Sequence, residues 1–161
     1  MKLLCLIRFL AINKDPLPAW EAVELFAASL PDYGGQVIHR EDLQAMVLFD
    51  DAALALALLS DTLDAGEREQ FAVSAALAQG IRSKATLASS LSGFTEGSIE
   101  TVFEVMSIAG KQEVAISHRL SSLIALSAPE YSKRFKPAVG QPDRKIRSAL
   151  VMGPAHRQQH D

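Results

Sequence analysis

Residues Gly34–Ala53, GGQVIHREDLQAMVLFDDAA, constrain the fold of this chain more than any other stretch. Tyr33-Gly34-Gly35 reads as a turn, because glycine reaches backbone angles that other residues avoid. Val37 and Ile38 then favour a strand, and Arg40-Glu41-Asp42 suits an exposed tip. Ala45–Phe49 is a continuous apolar run, the pattern of a strand buried on both faces. Asp50-Asp51 follows, then AALALALLSDTLDA, rich in the strong helix formers Ala and Leu. Either aspartate can cap that helix and suits the positive end of its dipole. Gly66 is the expected stop. The order is turn, strand, tight hairpin, strand, helix.

The same reading extends along the chain. It predicts a strand over 3–12, a loop at Asp15-Pro16-Leu17-Pro18 and a helix over 18–30, with Trp20, Val23, Ala27 and Leu30 on one face. Strands over 36–41 and 44–49 and a helix over 51–64 come next. Phe71, Val73, Ala75 and Leu77 alternate within a strand over 70–79. A helix over 97–109, a strand over 113–117 and a helix over 118–127 follow. Ile81–Gly97 reads as a loop or irregular hairpin, Pro129–Pro142 as basic and irregular, and Arg144–Met152 as a last strand. The β-α-β-β-α-β order predicts an α+β fold: a ferredoxin-like antiparallel sheet with helices packed on one face. One domain is expected over 1–152, with 153–161 a disordered tail.

Composition narrows the function classes. A chain of 161 residues can bury a real core as one domain. Its formal net charge of −3 gives nothing global to attract nucleic acid. The one cysteine, Cys5, sits in an apolar strand and cannot form an internal disulfide. The N-terminus MKLLCLIRFLAINK is not expected to be a signal peptide, because Arg8 breaks the apolar run and no small-residue cleavage site follows. No apolar stretch is long enough to span a bilayer. A cytoplasmic protein with no membrane or nucleic-acid partner is expected. Phosphate-binding Gly-rich loops, Zn-spaced Cys/His sets and nucleophile elbows are not present.

The hairpin resembles that of the class III nucleotidyl (adenylate/guanylate) cyclase catalytic domain. That family opens a strand with a Gly-Gly pair, reads roughly GG-x-V-V-K-x-x-G-D-G, and continues into an apolar strand ending in Phe and an Ala-rich helix. Here Gly34, Gly35, Val37, Ile38 and Phe49 match without gaps. The substrate-contacting Lys falls on His39, and the Gly-Asp pair at the tip falls on Asp42 and Leu43. The family's first strand ends in Phe-x-Asp-Ile; here Phe9-Leu10-Ala11-Ile12 puts Ala11 at that aspartate. Gly97–Ser117 resembles the later helix and strand, with the phosphoryl-stabilising Asn near Glu100 or Thr101 and the Arg near Glu104 or Val105. The likeness runs from Leu3 to about Ser127.

The resemblance therefore implies a nucleotidyl cyclase-like fold from which the metal ligands have been lost, at Ala11 and Leu43. The acids left to substitute are Asp42 and Asp15, with Glu41 and Asn13 nearby in sequence pattern. His39 is the one substrate-contact position carried over, and no catalytic residue is expected. The leading expectation is a catalytically inactive homodimerising or regulatory signalling module, with a signalling protein as its possible partner and no cofactor. One alternative is an active adenylate/guanylate cyclase with a non-standard Mg²⁺ or Mn²⁺ site. The other is a ferredoxin-like small-molecule sensor. Outside the resemblance, the basic run Lys133, Arg134, Lys136, Arg144, Lys145 and Arg147 reads as a solvated loop and edge strand.

Overall fold

The computed structural model describes residues 2–80, 96–138 and 149–155. Seven strands form one sheet in the order β2-β3-β1-β4-β5-β7-β6. They are β1 (Leu3–Ala11), β2 (Gly35–Glu41), β3 (Gln44–Phe49), β4 (Phe71–Gln79), β5 (Glu113–Ser117), β6 (Lys136–Pro137) and β7 (Ala149–Met152). The helices are α1 (Leu17–Ser29), α2 (Ala52–Glu69), α3 (Glu96–Met106), α4 (His118–Ser127) and the short α5 (Pro129–Ser132). The α+β architecture holds, with two refinements. β4 and β5 run parallel, so the sheet is mixed. Helices also cover both faces rather than one.

Strand alternation shows why. Leu3, Cys5, Ile7 and Phe9 of β1 join Val47, Phe49, Phe71, Val73 and Leu77 beneath α1, α2 and α4. Leu4 and Leu6 join Met46, Leu48, Ala76 and Ala78 on the other side, where Val102, Val105 and Met106 of α3 cover them. Successive side chains point to opposite faces, so a strand with helices on both sides is apolar throughout. The alternation in β4 is therefore one of size. Large residues face α2, and Ala72, Ser74, Ala76 and Ala78, all buried, face the other way. On β1, burial pushes the pKa of the Cys5 thiol up, leaving it a neutral core residue.

The glycine pair has a division of labour. Gly34 takes a left-handed φ of 69° and ends a short 3-10 turn over Leu30–Tyr33. At Gly35 a Cβ would stand 2.8 Å from Leu30 and 2.9 Å from the Phe49 ring, so the site needs the missing side chain. Asp51 is the N-cap of α2, accepting the Leu54 N–H at 2.9 Å. Asp51→Ala is expected to cost about 1 kcal/mol of stability in a thermal melt.

Three expectations are corrected. Helix α2 does not stop at Gly66; it runs to Glu69 and is capped by Gln70 in the left-handed region at φ 64°. Gly66 is buried mid-helix because Gln112 and the Phe71 carbonyl press against it. On α1, Ala19, Ala22, Val23 and Phe26 are buried, while Trp20 stays 39% exposed at the edge of that face. The basic run is not uniformly solvated. Arg134 is partly buried, donating to Ser60 Oγ at 2.7 Å and to the Gly153 carbonyl at 2.9 Å. Burial lowers its pKa. Ala155 N–H donates to Asp64 Oδ1 at 2.9 Å, so the chain is fixed against α2 through that residue. Arg144, Lys145 and Arg147, residues 81–95 of the loop or hairpin expected over Ile81–Gly97, and residues 156–161 lie outside the described residues.

Candidate functional site

The positions implied by the resemblance gather at one end of the sheet. β1 ends at Ala11, which pairs with Phe71 of β4 and is exposed. The hairpin tip meets β1 two residues earlier, where the Phe9 N–H donates to the Leu43 carbonyl at 2.8 Å. The fold thus brings Ala11, at the end of β1, and Leu43, in the β2–β3 turn, to the same end of the sheet. A methyl and an isobutyl group offer no ligand atom, and Leu43 packs its side chain against the helix-side core. Paired divalent cations on a phosphate chain need hard oxygen ligands.

The substitute acids are placed differently. Asp42 is exposed at the tip with a left-handed φ of 51°. Asp15 is exposed and accepts the Leu17 N–H at 3.0 Å, a local turn at the start of α1. Asn13 turns to Gln70, donating from Nδ2 to Oε1 at 2.9 Å. Among the described residues no three His, Cys, Asp or Glu side chains converge. The residues present do not fit a two-cation site. On α3, Val105 is fully buried in the second core cluster, Glu100 is exposed, and Thr101 and Glu104 are half-buried. None supplies the amide or guanidinium that would stabilise a transferring phosphoryl group.

A β-bulge decides which way His39 faces. In the β2–β3 ladder Val37 pairs with Val47 but His39 pairs with Met46, leaving Ile38 as the extra residue. Register partners share a face, and Met46 lies on the α3 side. Without the bulge His39 would pair with Ala45 and point toward the helix-side core. Beyond the bulge, Arg40 faces α1 and donates to Glu24, holding the Glu24 carboxyl below the usual carboxylate range. Glu41 shares the open face with His39, Oε2 to Nε2 at 4.0 Å.

This half of the α3-side face is an open cleft of about 270 Å³ lined by Leu6, His39, Glu41, Gln44, Met46 and Phe103. Leu6 and Met46 form a buried floor, and Phe103, 47% exposed, is a wall. Beside it, Arg8 donates from Nε and Nη2 to Gln44 Oε1 at 3.1 and 2.9 Å. Arg8, Gln44 and Phe103 went unnoticed as site residues in the sequence. The signal for Arg8 was a lone charge inside the apolar run LLCLIRFLAI.

No family model matches the chain, and no curated protein does. Solved structures do. An adenylate/guanylate cyclase/hydrolase from Silicibacter pomeroyi superposes with a TM-score of 0.65 at 13% identity, covering 96% of this chain and 98% of that one. The guanylate cyclase domain of RhGC from Catenaria anguillulae, in complex with GTP, gives 0.63 at 10% identity over 95% and 96%. The monomeric guanylyl cyclase domain of the RhoGC fusion protein from Blastocladiella emersonii gives 0.62, at 12% identity over 94% of both chains. In a dimer outside the usual mode it gives 0.58, at 12% identity over 95% and 96%. Such identities carry the fold alone, but they cover nearly the whole chain each time: this protein has a class III nucleotidyl cyclase-like fold.

Proposed function

We propose that this chain is a catalytically silent nucleotidyl cyclase-like module, one domain over residues 1–152, acting through self-association or a signalling partner. One observation carries it: the two positions where the resemblance expects metal-binding aspartates are Ala11 and Leu43, and the half-buried Leu43 side chain packs against the core. The buried Val105 adds to it. Self-association is supported by a cyclase domain of this fold that forms a dimer. No described helix is long and apolar enough to cross a membrane.

The test is direct. Purified protein with ATP or GTP and Mn²⁺ is expected to make cyclic nucleotide no faster than a protein-free blank. Light scattering is expected to give twice the chain mass. Turnover that Asp42→Ala abolishes would overturn the silent reading and install a rearranged metal site. A monomer at every concentration would remove self-association. The small-molecule sensor reading is favoured by one specific feature, the cleft between β3 and Phe103.

A further inference from the structure

From the side-chain row that crosses the open face, we propose that Arg8 and the adjoining cleft bind a small organic monocarboxylate with a flat apolar body. The inference rests on the reading of this face as non-catalytic.

The register sets the row. Glu41 pairs with Gln44, Gln44 with Arg8, Arg8 with Ser74, and Ser74 with Glu113. Partners across a sheet share a face at roughly 4.8 Å per strand. Arg8 is thus the centre of a polar row, and it is exposed. Its neighbours at the far side are already engaged. Ser74 Oγ donates to the Gly110 carbonyl at 2.9 Å, and Glu113 Oε1 accepts the Gly110 N–H at 2.7 Å.

Arg8 is held but not neutralised. Both of its hydrogen bonds go to one neutral oxygen of Gln44. Among the described residues it has no carboxylate partner. Using Nε and one terminal nitrogen on Gln44 leaves the fork between Nη1 and Nη2 unused among the described residues, on an exposed side chain. That fork matches a carboxylate with two parallel hydrogen bonds. The amide fixes the guanidinium in advance, so less side-chain freedom is lost on binding. A phosphate dianion fits less well, because Glu41 and Glu113 lie at the two ends of the row and repel a second charge.

The apolar half of the ligand follows from what adjoins Arg8. Leu6 precedes it by two residues on the same face and floors the cleft with Met46. Phe103 stands beside them with nearly half its surface in solvent, positioned to cover a flat group laid on the floor. At about 270 Å³ the cleft suits a small ligand, below the usual range for drug-sized ones.

The probes are indole-3-acetate and its neutral amide, titrated calorimetrically into the full chain without metal. The acid is expected to bind, and the amide to bind roughly ten-fold more weakly, as loss of a charge-assisted fork implies. Arg8→Gln is expected to erase the preference while leaving the melting temperature unchanged, since Arg8 is exposed; Arg8→Lys is expected to retain part of it. Phe103→Ala is expected to weaken acid and amide alike. Inorganic phosphate is expected to compete poorly. Equal affinity for acid and amide, unchanged affinity in a folded Arg8→Gln protein, or no binding of either probe overturns the proposal. Cyclic nucleotide production would overturn the silent-module reading instead, and it would leave the acid-against-amide comparison intact, so the two failures are separable.

Discussion

Gln112→Leu is expected to lower the unfolding free energy by about 3–5 kcal/mol, measured as a lowered urea midpoint with an unchanged slope. Gln112 is 5% exposed and works as a piece of strand. β5 pairs with β4 only from Glu113 opposite Ser74 onward. One step earlier the Gln112 side chain takes over the ladder: its Oε1 accepts the Val73 N–H at 3.0 Å and its Nε2 donates to the Phe71 carbonyl at 3.1 Å. The Gln112 backbone itself bends into the left-handed region, φ 61°, and donates to the Val73 carbonyl at 2.6 Å. Leucine fills a similar volume but leaves two buried backbone groups without partners, each costing about 1–3 kcal/mol. Gly66 makes the arrangement possible, because a Cβ there would stand 2.6 Å from Gln112 Nε2 and 2.7 Å from the Phe71 carbonyl. A loss below about 1 kcal/mol would show that water replaces the amide and would sink this account.

Phe9→Ala is the second large effect, with an expected loss of about 3–5 kcal/mol. Phe9 is fully buried and is the aromatic hub of the helix-side core. Its ring meets Phe26 of α1 edge-on at 5.6 Å and Phe71 of β4 at 6.0 Å. Such ring pairs add about 0.5–1.5 kcal/mol each beyond the area they bury. Phe9→Leu keeps most of the volume and is expected to cost less than half as much in the same denaturation series. The substitution leaves the Phe9 N–H to Leu43 carbonyl bond in place. Hydrogen exchange at that amide therefore reports whether the hairpin tip depends on the ring. Equal losses for alanine and leucine would mean that the aromatic contacts contribute nothing specific.

Much of the fold was legible because the strands are short apolar runs bounded by turn residues. The boundaries of β1, β3, β4 and β5 lie within a residue of the expected ones. What was not legible needed a tertiary partner to reveal it. Gly66 looked like a helix stop in a one-dimensional reading, and only Gln112, far along the chain, shows why glycine stands there. The second helical layer was hidden because β4 alternates in size and not polarity. The bulge at Ile38 left no sequence mark, since Val37 and Ile38 suit either face. At the site, the identities at Ala11 and Leu43 could be read from the chain, but the face taken by His39 could not. Asp15 looked available until its hydrogen bond to Leu17 was seen. Arg8 was read for what it interrupts and not for what it holds.

The bulge in β2 matters beyond the cleft, because β2 is an outermost strand of the sheet among the described residues. A straight edge strand offers its unused backbone groups to any other chain and seeds aggregation. Here the ladder is out of step at Ile38, and the polar His39 and the charged Arg40 and Glu41 follow it. The opposite edge, β6, is two residues long and ends in Pro137, which has no N–H to donate. Neither margin can extend as a regular ribbon, so crowding of this protein should not convert it into strand-added polymers. Whatever assembles with it is steered onto its faces.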